Sequence, residues 1–195
     1  MKNFRIAMAG FIALSLSVAA HVTTSARGND DRDRGNRLRA TLIGYDEVPS
    51  VSTGAMGRFR AEIADDEQSI DYTLSYDGIA SVVNQSHIHF AQKSVNGVIV
   101  VWLCQGATRA PAAVALITPE CPAAPGGTVS GTITSANVVA QAAGSGGAAQ
   151  QINQGELAEV IAAIRAGRAY ANLHSSVSPG GEIRGQIRTN DDDHD

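Results

Sequence analysis

The sequence predicts a mostly-β fold, an antiparallel β-sandwich or a partly open barrel of about eight strands with one short helix. Three observations carry this expectation. Apolar residues recur at every second position through most of the chain, as in strands with one dry and one wet face. Turn-forming residues separate these runs at short intervals. A single segment carries a helical repeat instead.

The strands follow in order. Leu38 to Tyr45 opens the series. Phe59, Ala61 and Ile63 alternate with Arg58, Arg60 and Glu62. Ile70, Tyr72, Leu74 and Tyr76 alternate with Asp71, Thr73, Ser75 and Asp77. Val82 to Phe90 comes next. Val98 to Leu103 is apolar on both faces, which predicts a central strand covered on its second side, and Asn96-Gly97 before it is a turn signal. Val129, Gly131 and Ile133 alternate with Ser130, Thr132 and Thr134; Ala169 to His174 and Ile183 to Ile187 complete the set. Leu157, Val160, Ile161 and Ile164 are spaced i, i+3, i+4, i+7, so they predict a helix that Gly167 can cap. Pro119 to Gly127 and Ala143 to Gln151 read as loops.

The ends differ in kind from this middle. Residues 1–26 read as a secretory signal: Lys2 and Arg5, an uncharged apolar run from Ile6 to Ala20, then Thr24-Ser25-Ala26 as a small-residue cleavage site, with Val18-Ala19-Ala20 as a rival. Residues 27–37 are almost wholly charged or flexible and read as a linker, and Asp191 to Asp195 as a solvated acidic tail. One domain, residues 38–190, lies between. The expected address is secreted or periplasmic, with no membrane span once the signal is cleaved. The whole chain carries a formal charge of −4, and loss of the signal removes two basic residues and leaves −6. That balance, without a basic stripe, argues against nucleic acid as a partner. Cys104 and Cys121 are the only cysteines, and an even count in an exported chain predicts a disulfide between them.

Three stretches resemble a known family. They are Leu42-Ile43-Gly44-Tyr45-Asp46-Glu47-Val48-Pro49, then His87-Ile88-His89-Phe90 with Asn96 to Val100, and then Gly167 to His174 with Pro179 to Ile187. In this order they resemble the CHRD (chordin-type) domain over about residues 38–188. The resemblance implies a fold and an extracellular address rather than a reaction. The family occurs in the animal protein chordin, which binds growth factors, and alone in exported microbial proteins, so an extracellular protein ligand is one expected partner. A weaker resemblance, to copper-zinc superoxide dismutase, rests on the His-x-His pair, a later strand ending in His and a Gly-rich stretch with Arg. It implies a Greek-key connectivity. The metal-bridging His and the further zinc ligands of that enzyme have no counterpart here.

The candidate chemistry lies in three histidines. His87 and His89, two apart on a strand, share a face at about 6–7 Å. Ile88 and Phe90 claim the core, as do Ala169, Ala171 and Leu173, so His87, His89 and His174 are expected on the outer face, as a surface site for copper or, second, zinc. Binding should weaken as pH falls through about 6.5, the free-histidine value. Arg184 is expected to draw in an anion, to orient a ligand or to pair with Glu182 or Glu47. Glu47 is expected as a carboxylate ligand, as a buried partner of Arg184 or as loop packing. Trp102 reads as core. No nucleophile elbow, phosphate loop, dinucleotide fingerprint or His-Glu-x-x-His motif is present, so no catalytic residue stands out. The expected function is an exported binding module, with a superoxide dismutase-like copper enzyme or a metal-free structural or adhesion domain as the alternatives.

Overall fold

The structure is a computed structural model, and it describes residues 35–139 and 150–190. The expected signal, residues 27–34 of the expected linker, the expected tail and residues 143–149 of the expected loop lie outside the described residues. Among the described residues, the framework comprises nine strands and the helix α1: β1 (Arg37–Ile43), β2 (Met56–Ile63), β3 (Ile70–Asp77), β4 (Val83–Phe90), β5 (Val98–Gln105), β6 (Gly127–Ile133), α1 (Leu157–Arg165), β7 (Ala169–Ser175), β8 (Ile183–Gln186) and β9 (Arg188–Thr189). Arg37 opens β1, and Asn36 before it is buried, with its Oδ1 accepting from Arg165.

All the pairings are antiparallel, in the order β5-β4-β7-β8-β1-β2-β3-β6, with β9 also on β1. The late strand β8 lies beside the first strand of the β1–β2–β3 meander, a Greek-key arrangement. The sheet rolls until its two ends approach, and one bridge, Val101 to Val138, joins β5 to the segment after β6. The result is a nearly closed barrel flattened like a sandwich. β5 is therefore a terminal strand rather than the central one its composition predicts. Its two-sided apolarity has another cause: one face lies on the core, and a loop covers the other.

The inner faces supply the core. Leu42, Phe59, Leu74, Ile88, Leu103, Leu173 and Ile183 are all fully buried there. Each such side chain contributes roughly 1.5–3 kcal/mol on leaving water. The helix α1 buries Leu157, Val160, Ile161 and Ile164 against the same core. Gly167 ends it at a positive φ of 64°, where glycine pays no Cβ penalty. Cys104 and Cys121 form the disulfide that their number predicts.

A second, smaller apolar cluster lies on the outer face of β5. Trp102, Ala110, Val114 and Val139 form it, with Ile99 and Ala115 at its edge. Gln105 holds the covering segment in place. Its Nε2 donates to the carbonyls of Ala115 and Thr118, and its Oε1 accepts from the Ala110 amide. All seven residues of β7 are buried, so its outer face is covered as well.

Candidate metal centre

Alternation places His87 and His89 of β4 and His174 of β7 on the outer face, opposite Ile88, Ala171 and Leu173 in the core. The expectation of a surface site fails, because that face is roofed over: His87 is 0% exposed, His89 8% and His174 7%. Trp102 belongs to this roof rather than to the main core. It pairs with His87 across the strands and meets its ring edge-on, 4.3 Å between centroids.

The three imidazoles converge. Their candidate ligand nitrogens all lie within 4.8 Å of one another, and among the described residues no other group of three or more ligating side chains does so. Ring centroids are 5.4 Å apart for His87 and His89, 5.0 Å for His87 and His174, and 6.5 Å for His89 and His174. Around one ion with bonds of about 2.0–2.1 Å, nitrogens stand about 3.3–4.1 Å apart, so side-chain shifts of about an ångström close the set.

Two of the rings are held by the backbone. Nδ1 of His89 lies 2.9 Å from the Gly97 carbonyl and Nδ1 of His174 lies 3.0 Å from that of Pro179. A carbonyl only accepts, so each Nδ1 carries the proton and each Nε2 presents a lone pair. Both Nε2 atoms are buried without a protein partner, as are both nitrogens of His87. Gly97 makes the first contact possible, since a Cβ there would stand 2.0 Å from the Phe90 carbonyl oxygen.

Burial also sets the protonation. Desolvation lowers the pKa of His89 to about 4, helped by the charges of His174 and Arg184 and opposed by the bond to Gly97. His87 is lowered well below its usual value, first by desolvation and then by its two histidine neighbours, and His174 is lowered by desolvation. The rings thus stay uncharged further into the acid range than the free-histidine value implies.

The surrounding residues take roles that the sequence left open. Arg184, 1% exposed, forms no ion pair with Glu47 or Glu182. Its guanidinium donates to the carbonyls of Val95 and Gln92 and to Asn96 Oδ1, and it lies 3.4 Å over the Tyr170 ring. Tyr170 in turn stacks on His89, 4.7 Å between centroids and 3° from parallel. Glu182 accepts from the Thr53 hydroxyl. Glu47 is buried against Gly181, whose φ of 130° and missing Cβ leave room for the carboxylate. Desolvation raises the Glu47 pKa to about 7, against the lowering effects of Arg184, the Val48 amide and Asn172. Neither carboxylate joins the histidine cluster. Asn172, the β7 residue paired with His87, was legible only as an outward position; it is buried with an unpartnered Oδ1 and acts on both His87 and His89.

A family model of the CHRD domain matches residues 38–187. The chain belongs to the CHRD family. The match spans β1 to the end of β8 and takes in all three histidines of this CHRD domain. No curated protein and no solved structure matches the chain.

Proposed function

We infer that this CHRD domain is an exported module that binds a copper ion, with zinc as the second choice, through His87, His89 and His174. One observation carries the reading: buried, uncharged imidazole nitrogens without protein partners face a common point. A buried polar atom left unpaired costs about 1–3 kcal/mol, so several around one point are expensive unless a ligand meets them. The carbonyl bonds to His89 and His174 support the same reading, because metal-ligating histidines commonly anchor the other ring nitrogen in this way. Export is supported by the disulfide, which persists in oxidising compartments. Among the described residues no helix is long and apolar enough to cross a membrane.

The test is metal content after chelator washing and reloading, with affinity measured by calorimetry. One ion per chain is expected. Alanine at any one of the three positions should weaken binding by more than the roughly 10–100-fold that loss of an outer partner costs. His194→Ala, in the tail, should leave binding unchanged. Absence of stoichiometric binding would leave a scaffold or adhesion domain that uses the same sandwich without metal.

A further inference from the structure

We propose that the three-histidine site selects monovalent copper over divalent copper or zinc. The inference rests on the metal-binding reading above and adds to it an oxidation state. Charge is the reason. The donor set is three neutral imidazoles, with no thiolate or carboxylate in the cluster. Asn172, the register partner of His87 on β7, has a buried side-chain oxygen without a hydrogen-bond partner, and an amide adds no charge either.

The surroundings reinforce the point. All three histidines are buried, and the desolvation cost of an ion scales with the square of its charge, about fourfold from one charge to two. The fixed charge held closest through the stack is positive: Arg184 lies on Tyr170, and Tyr170 lies on His89. The guanidinium gives its hydrogen bonds to neutral carbonyls and an amide, and the acids that act on it, Glu47 and Asp46, form no direct ion pair with it, so its charge is offset only in part. A second positive charge at the trio is therefore penalised twice, by dry surroundings and by repulsion. Structural zinc is almost always four-coordinate, whereas monovalent copper, a closed-shell ion of single charge, accepts three imidazoles alone. Trp102, edge-on to His87 and backed by an apolar cluster, offers no charged substitute for the missing ligand.

The experiment is a set of competition titrations on the intact mature chain. Monovalent copper is presented anaerobically against a chromophoric chelator, and divalent copper and zinc are titrated in parallel. Monovalent copper should bind at least about 100-fold more tightly than divalent copper. For a one-electron couple that places the bound-copper potential about 120 mV above the aqueous couple. Asn172→Asp, which adds a carboxylate of nearly the same shape, should move the preference toward the divalent ions by about tenfold or more. Equal or tighter binding of divalent copper, with a potential at or below the aqueous value, overturns the proposal and leaves the metal site standing. Failure of every ion to bind, or binding that survives His174→Ala, overturns both.

Discussion

Glu47 shows how one buried carboxyl can set the acid–base behaviour of a whole domain. With its pKa raised to about 7 from 4.5, it keeps a proton in the folded state that the unfolded chain has already released between those values. Ionising it in place opposes folding, so its contribution to stability falls as pH rises through that window. The histidines act in the opposite sense. Their folded pKa values are lowered, to about 4 for His89, so below about 6.5 the unfolded chain binds protons that the folded one refuses, and stability falls toward acid. Glu47→Gln removes only the first effect. Its stability relative to the parent should rise between pH 5 and pH 8, by up to about 3 kcal/mol for a shift of this size. Denaturant unfolding of the metal-free protein at the two pH values measures it, and a constant difference would mean that Glu47 ionises as an exposed carboxyl does.

Among the elements, the segment between β5 and β6 packs on Trp102, the residue that meets His87. It leaves β5 at Gln105, crosses the outer face with Ala110 and Val114, and returns to the disulfide at Cys121, where Gln105 and Glu120 form a bridge. Cys104 and Gln105 together hold both ends of this cover. A Cys104→Ala, Cys121→Ala double variant should lose about 2–4 kcal/mol of stability in denaturant unfolding; an unchanged midpoint would show that Gln105 suffices alone. The cover also marks where sequence reading stopped. Strict alternation told which way His87, His89 and His174 point, because a strand has only two faces. Whether a face is wet depends on what packs on it from elsewhere, and Ala110-Pro111-Ala112-Ala113-Val114-Ala115 has neither a two-residue nor a 3.6-residue rhythm to announce a roof. Burial of Arg184 was hidden for the same reason. Its partners are backbone carbonyls of residues 92–95 and the Asn96 side chain, and backbone acceptors leave no mark in a sequence.

At the scale of the molecule, the strands and the helix were legible almost to the residue, because their alternation and turn residues are local signals. The order of the strands was less so. Val98 to Leu103 is dry on both faces whether it sits mid-sheet or at a rolled edge that a loop protects, and only the Val101–Val138 bridge distinguishes the two. The neighbouring strands β4, β7 and β8 carry one line of buried side chains on this outer face, from His174 and His87 through His89 and Tyr170 to Arg184. That burial has a consequence in time. On the metal-binding reading proposed above, an ion would reach the buried nitrogens of His87 only when Trp102 or the segment over it moves aside, so its exchange would be limited by how often that cover opens. Stopped-flow uptake by the metal-free protein should therefore approach a rate independent of metal concentration, and Trp102→Ala should raise that ceiling at least about tenfold, which corresponds to about 1.4 kcal/mol off the opening barrier. Uptake that stayed proportional to metal concentration would mean that the roof is already ajar. In a closed form the protein would hold its ion as a slow store, isolated from competitors that bind more tightly but arrive only when the door is open.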